Sequence, residues 1–154
     1  ATVRRVPNEP GMAAKVFTLL AEAGVNVDMI VQASASTGTA DISFTVPGSA
    51  AAKVRDVLQE KQDELGYQSF DIDANVGKVA VVGVGMKTHS GLAAKFFNAL
   101  SDEGVNVLMI STSEIRIAAL VPLEQLQDAV RALHTAYGLD AEQVEAVVYG
   151  GTGR

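Results

Sequence analysis

Two stretches of this 154-residue sequence match each other without a gap. Residues 11–30 read GMAAKVFTLLAEAGVNVDMI, residues 91–110 read GLAAKFFNALSDEGVNVLMI, and twelve of the twenty positions are identical. A repeat of roughly 75 to 80 residues is too long for a solenoid unit and has the size of a small domain with its own core. The sequence therefore predicts two similar domains, residues 1–74 and 75–154.

The composition excludes several classes of protein. Apolar residues make up 48% of the chain, without a run long enough for a membrane span, which predicts a globular cytoplasmic protein. The formal charge of −6 and the scattered basic residues argue against nucleic acid as a partner. With no cysteine, disulfides and thiolate-bound zinc are excluded. We expect neither a metal nor a cofactor.

Each repeat shows the same order of sequence patterns. Short β-branched runs predict strands, apolar residues at helical spacing predict helices, and Gly or Pro separates them. The predicted strands are residues 2–6, 25–34, 42–46 and 67–72 in the first repeat, and 78–84, 105–113, 115–121 and 144–149 in the second. The order is strand, helix, strand, strand, helix, strand. It predicts an α+β fold of two tandem ferredoxin-like βαββαβ domains, each an antiparallel sheet with both helices on one face.

No cluster of acid, base and nucleophile indicates catalysis. His134 follows Leu133 on a predicted helix, whereas His89 lies in the loop before the second repeat's first helix and could touch a ligand there. Acidic residues are spread over helix faces, where exposure to solvent explains them. A small ferredoxin-like enzyme is thus a disfavoured alternative, and we expect no catalytic residues in this chain.

Two glycine-rich stretches also lack the context for nucleotide binding. Gly83, Gly85 and Gly91 do not have the spacing of a dinucleotide fingerprint, and no parallel βαβ unit surrounds them. Residues 150–154 resemble part of a phosphate loop, but no helix follows them in this sequence. An RNA-recognition module has the same element order, yet it would carry aromatic and basic strand faces that this chain lacks.

The repeated loop and helix favour a free amino acid as the ligand. A helix N-terminus leaves backbone N–H groups unpaired, so the loops at residues 8–13 and 89–93 can hold a carboxylate. The ammonium group needs acceptors, which the polar residues around each following strand can offer. An alternative is that Asn26 and Asn106, each after Gly-Val, only end the turn between helix and strand.

Several motifs together resemble the paired ACT domains of the aspartate kinase family. They are Glu-Pro-Gly followed by AAKVF, then GVNVDMI, VGVGMKTHSG, GVNVLMISTSEIRI and the final AVVYGGTGR. The resemblance covers essentially the whole chain. The chain resembles the small regulatory (beta) subunit of enzymes with two large and two small subunits, or the same region of a full-length kinase. No part of this sequence resembles the kinase domain of that family.

The resemblance implies a feedback sensor without catalytic residues of its own. Its implied partners are a second copy of the chain, paired through ACT domains, and the catalytic alpha subunit. The implied effector is threonine, in many members acting in concert with lysine, bound where ACT domains of two chains lie side by side. A free-standing sensor of amino acids, unattached to any kinase, remains open as the alternative. The implied ligand-binding residues are Asn8, Ala13, Asn26, Val27, Asp28 and Gln32 in one site, and Leu92, Ala93, Asn106, Val107, Ser113 and Glu114 in the other.

Two further expectations come from the resemblance. Family members usually carry Asp where this chain has Asn8, so a neutral amide replaces a carboxylate that would meet the ligand's ammonium group. The family also implies exchange of the last strands, with residues 143–149 completing the first domain's sheet and residues 67–72 joining the second.

Overall fold

The computed structural model describes residues 1–83 and 91–138, together with the backbone of residues 144–150. The chain divides into two compact units between Ala74 and Asn75. None of the helices in these described parts is long and apolar enough to cross a membrane.

The first unit follows the predicted order of elements. A 3₁₀ turn at Gly48–Ala50 precedes its second helix, which is interrupted at Lys61. Its elements are β1 (Thr2–Pro7), α1 (Met12–Glu22), β2 (Ile30–Ser34), β3 (Thr39–Phe44), α2 (Ala51–Glu60), α3 (Gln62–Leu65) and β4 (Ser69–Asp71). The sheet order is β2-β3-β1-β4, with every neighbouring pair antiparallel.

The second unit repeats this arrangement with fewer interruptions. Its elements are β5 (Val76–Gly83), α4 (Leu92–Asp102), β6 (Met109–Thr112), β7 (Arg116–Pro122), α5 (Leu126–Tyr137) and β8 (Val144–Gly150). The sheet order is β6-β7-β5-β8, again antiparallel throughout. The prediction of two ferredoxin-like βαββαβ units is confirmed.

Each unit buries the apolar stripe of its helices against one face of its sheet. In the first unit Val16 and Leu20 of α1 pack with Val3 and Phe44, and all four side chains are almost fully buried. In the second unit the corresponding cluster includes Phe96 and Leu100 of α4. Burying one such side chain contributes about 1.5–3 kcal/mol, so these stripes hold helices and sheet together.

The resemblance implied that the last strands of the two units are exchanged, and the structure contradicts this. β4 pairs with β1 of its own unit, and β8 pairs with β5 over seven residues from Gly83 to Gly77. A central strand needs hydrogen-bond partners on both sides, and the short connection from α3 places β4 beside its own sheet. Each described sheet is therefore complete within its unit.

Two strand boundaries also differ from the prediction. The runs that begin at Val25 and Val105 were expected to be strand throughout, but β2 begins at Ile30 and β6 at Met109. The backbone N–H of Val25 still donates to the carbonyl of Leu20 at 3.0 Å, since the first residues of the run satisfy the end of the helix.

Candidate functional site

Three polar side chains meet where β1 runs into α1. The Asn8 side chain donates from Nδ2 to Ser34 Oγ at 3.3 Å, and Gln32 Nε2 donates to Asn8 Oδ1 at 3.5 Å. The backbone N–H of Asn8 donates to the carbonyl of Gly38 at 3.0 Å, which holds the loop against the β2–β3 turn. The structure thus brings together Asn8 and Gln32, and it adds Ser34, which no sequence motif had indicated.

The start of α1 lies beside this polar group. Gly11 precedes the helix with φ +90°, a left-handed conformation that glycine adopts without strain, and Gly91 precedes α4 with φ +88°. Neither described helix start has a side-chain cap or an acidic residue in its first turn. At α1 the Met12 N–H donates to the Glu9 carbonyl at 3.2 Å, and the N–H groups that follow it, with the partial positive charge of the helix start, suit a carboxylate.

Ala13 and Val27 have a packing role. Both are half-buried and lie against the hydrophobic core of the first unit. Neither side chain carries a hydrogen-bonding group. We therefore expect any ligand contact at these two positions to go through backbone groups.

Asn26 and Asp28 lie at the other end of the edge strand. Both are exposed. The Asp28 N–H donates to the carbonyl of Thr45, and the Thr45 N–H donates to the carbonyl of Met29, each at 3.0 Å. The Met29 N–H donates to Thr45 Oγ1 at 3.0 Å, so these residues stay beside the end of β3 although β2 itself begins at Ile30.

The distance along this strand separates the first predicted site into two groups. Asp28 and Ser34 are six residues apart, which in an extended strand is about 20 Å at about 3.3 Å per residue. Asn8 lies at the Ser34 end. A free amino acid is much shorter than this separation, so we expect it not to contact Asn8 and Asp28 of the same unit.

The second unit has the same division. Ser113, whose N–H donates to the Arg116 carbonyl at 2.7 Å, and Glu114 lie in the turn after β6, whereas Asn106 and Val107 precede that strand. Leu92 and Ala93 open α4. The loop before this helix, which includes His89, lies outside the described residues.

Two residues that the sequence had not indicated contact residues of the second predicted site. Gln125 accepts the N–H of Asn106 through Oε1 at 2.9 Å and donates from Nε2 to the Gly104 carbonyl at 3.2 Å. Tyr137 donates its hydroxyl to the carbonyl of Leu92 at 2.6 Å, which ties the end of α5 to the start of α4. No motif marks either residue, because both contacts depend on how the helices pack.

Burial affects the ionisation of Tyr137. The side chain is 8% exposed, and the removal of water from the phenol raises its pKa to about 12. Lys95 Nζ lies 5.0 Å from the centre of the same ring. The hydroxyl therefore stays protonated, and able to donate to Leu92, throughout the physiological pH range.

Of the five large apolar side chains that are exposed in the described part of the chain, three lie on edge strands: Ile30 and Val31 on β2, and Ile110 on β6. β2 and β6 are each at one edge of their sheets, and every residue of β2 is exposed. Ile30 is 50% exposed and its counterpart in the repeat, Ile110, is 47% exposed. Exposed apolar edge strands are templates for pairing with another strand, and proteins normally protect them.

The described residues offer no metal site. Within residues 1–83 and 91–138, no group of three or more His, Cys, Asp or Glu side chains is placed to hold a metal ion. The polar groups at the strand ends are neutral amides and hydroxyls with separate carboxylates, a set that suits hydrogen bonding to a small zwitterion.

Comparison with known proteins gives consistent matches along the chain. The family model described as "ACT domain" matches residues 4–62 and 79–137. The aspartokinase of Corynebacterium glutamicum is 46% identical over 99% of this chain, and that of Mycobacterium tuberculosis is 43% identical over the same share. The chain spans 37% of the length of these relatives.

Two solved structures match most of the chain in both directions. One, described as aspartokinase alpha and beta subunits, is 44% identical with a TM-score of 0.82, covering 89% of this chain and 90% of that one. The regulatory subunit of aspartate kinase from Thermus thermophilus, in its ligand-free form, is 37% identical with a TM-score of 0.81, covering 88% and 89%.

Proposed function

This chain belongs to the ACT domain family, as a regulatory region of the aspartokinase type, and on that premise we propose that it senses free threonine for an aspartokinase. Binding of threonine would inhibit the kinase and so provide feedback control of the pathway to lysine, threonine and methionine. The chain itself would bind the effector and leave the phosphoryl transfer to a catalytic subunit or domain.

The separation of about 20 Å between the two ends of the edge strand carries this proposal. One end offers the start of α1 with Asn8, Gln32 and Ser34, and the other offers Asn26 and Asp28. When two copies of an edge strand pair antiparallel, the start of one strand lies opposite the finish of the other. The Asn8 end of one copy then lies beside the Asp28 end of its partner. Pairing between two copies therefore assembles one complete pocket at each end of the shared edge.

The exposed apolar residues support a second copy as the partner at these edges. Ile30 and Ile110 occupy matching positions of the repeat and are each about half exposed. An antiparallel pair of such strands removes both the apolar side chains and the unpaired backbone groups from water. Two-fold symmetry is the commonest symmetry of soluble oligomers, and in such a dimer the same edge of both copies can be covered.

The chemistry of the assembled pocket suits threonine. The backbone N–H groups at the start of α1 take the α-carboxylate, with no acidic side chain nearby in the helix to repel it. The Asp28 carboxylate of the facing copy takes the α-ammonium group. Asn8 and Gln32 supply amide groups that can both donate to and accept from the ligand's hydroxyl.

Inhibition follows from a shift between two arrangements of the dimer. Threonine contacts both copies, so it stabilises the paired arrangement relative to any looser one, and only this difference in affinity can change kinase activity. Coupling free energies of this kind are about 1–3 kcal/mol per site.

Isothermal titration of the purified chain with threonine tests the proposal, together with kinase assays of the enzyme reconstituted with its catalytic partner. We expect saturable threonine binding that is weakened in Asp28→Ala and in Ser113→Phe, with unchanged circular dichroism and with relief of inhibition. Asp63→Ala, an exposed carboxylate on α3, is the matched control. A chain that binds no threonine at millimolar concentration, or whose threonine binding leaves the kinase unaffected, would contradict the proposal. The second outcome would identify a free-standing sensor.

A further inference from the structure

We infer that Asp41 is a positioning residue for the pocket that contains Asn8, and that it acts through a left-handed residue in the middle of β1. The inference rests on the proposed function for its ligand, threonine. The placement of Asn8 by Asp41 involves only residues of the first unit.

Arg5 has an unusual backbone conformation. Its φ is +55°, and among the described residues it is the only non-glycine with positive φ. Side chains with a Cβ disfavour this left-handed region, and arginine has no local hydrogen bond of its own to offset the cost. Such a conformation persists only where the surrounding contacts impose it.

The contact that imposes it comes from the neighbouring strand. The Arg5 N–H donates to Asp41 Oδ1 at 2.9 Å, so a side-chain carboxylate on β3 takes the place of a backbone acceptor. On the other side of β1, Asp71 of β4 pairs with the Arg4 side chain at 2.9 Å. Of these two carboxylates, only Asp41 holds the backbone at the distorted position.

The distortion is a β-bulge that changes which way the following residues face. Val3 pairs with Ile42 and Val6 pairs with Ala40, so three steps along β1 match two steps along β3. Val3 and Val6 are both buried in the core, at 0% and 1% exposure, which strict alternation along a strand does not allow.

The bulge also sets the direction in which Asn8 leaves the strand. Asn8 directly follows β1, whose shifted register pairs Pro7 with Thr39 and leaves the Asn8 N–H on the Gly38 carbonyl at 3.0 Å. Without the extra residue in β1, the chain would reach this turn one residue out of step. With the bulge in place, its amide reaches Ser34 and Gln32. In the second unit, β5 pairs with β7 in unbroken register from Val76 to Val82, so this device belongs to the first unit.

The test compares four variants of the full chain by threonine titration and by NMR of side-chain amides. We expect Asp41→Ala to weaken threonine binding at the affected pockets by at least about tenfold, the low end of what a hydrogen bond to a charged group contributes. Asp71→Ala, which removes the other carboxylate next to β1, should leave the affinity unchanged. Arg5→Gly should bind as the wild type does, because glycine adopts the left-handed conformation freely.

The double variant Asp41→Ala with Arg5→Gly separates positioning from general stability. Since glycine no longer needs the carboxylate, we expect it to restore both the threonine affinity and the Asn8 amide signals that Asp41→Ala displaces. Unchanged affinity in Asp41→Ala, or no recovery in the double variant, would overturn the inference. If the wild type binds no threonine, the proposed function fails, and the Asn8 amide signals alone decide: unshifted signals in Asp41→Ala overturn the positioning role.

Discussion

Variants that damage opposite ends of the edge strands should complement each other when two copies are mixed. One variant, Asn8→Ala with Ser113→Phe, disables the ends at which β2 and β6 finish. The other, Asp28→Ala with Asn106→Ala, disables the ends that precede β2 and β6. All four side chains are exposed, so we expect both variants to fold.

The expected magnitude follows from the length of the strand. Because about 20 Å separates the two ends, each pocket takes one end from each copy, whichever units pair. In either variant alone every pocket lacks one group, at a cost of about 1–3 kcal/mol, or about 5- to 150-fold in Kd. In a random mixture about half of the dimers are mixed, and half of their pockets are intact, so about a quarter of all pockets recover full affinity.

The assay is titration calorimetry after the two variants are unfolded and refolded together. A high-affinity fraction of about a quarter of the wild-type capacity is expected in the mixture and in neither variant by itself. As a control, each variant is refolded alone in the same way. If the mixture only shows the average of its two components, the pockets do not draw their two ends from different copies, and the reasoning from strand length is refuted.

The exposed side chain of Ile30 provides a direct test of the edge, since Ile30→Lys should shift the dimer towards monomer in analytical ultracentrifugation; an unchanged dimer would place the interface elsewhere. Gln125→Ala removes both hydrogen bonds that hold the Asn106 loop and should weaken threonine binding by about 1 kcal/mol at the affected pocket, whereas Gln127→Ala, two residues further on in α5, should have no effect. Because the pKa of Tyr137 is about 12 when folded and near 10 when unfolded, the wild-type free energy of unfolding should decline as pH rises from about 10 to 12. Urea melts at about pH 9 and about pH 11 should show a smaller decline in Tyr137→Phe, and an identical decline would contradict the buried donor.

Much of the fold was accessible from residue patterns alone. The duplicated stretch predicted two units, and the spacing of Val16 with Leu20 and of Phe96 with Leu100 predicted which helix faces are buried. The alternation of Ile42 and Phe44 with polar residues predicted a strand with one face in the core. These features are local consequences of a helical period of 3.6 and a strand period of two.

The site was only partly accessible in this way. Asn8 and Gln32 were predicted to share a site, and the structure brings them into contact. Asp28 was assigned to the same site, but within one unit it lies at the far end of β2 from Asn8. Ser34, Gln125 and Tyr137 were missed, because nothing in their local sequence distinguishes them from ordinary polar or helix-packing residues.

The sequence by itself determined the duplication, the order of the elements and the apolar faces that must be buried. Only the tertiary structure decided the strand register, the bulge at Arg5, the pairing of the last strand with β5 and the separation of the two groups of polar residues along β2. The physical reason is that burial depends on local periodicity, whereas register depends on hydrogen bonds between residues far apart in the chain. A shift of one residue in β1 would leave the composition unchanged but move Asn8 relative to Gln32, and the proposed pocket depends on that contact.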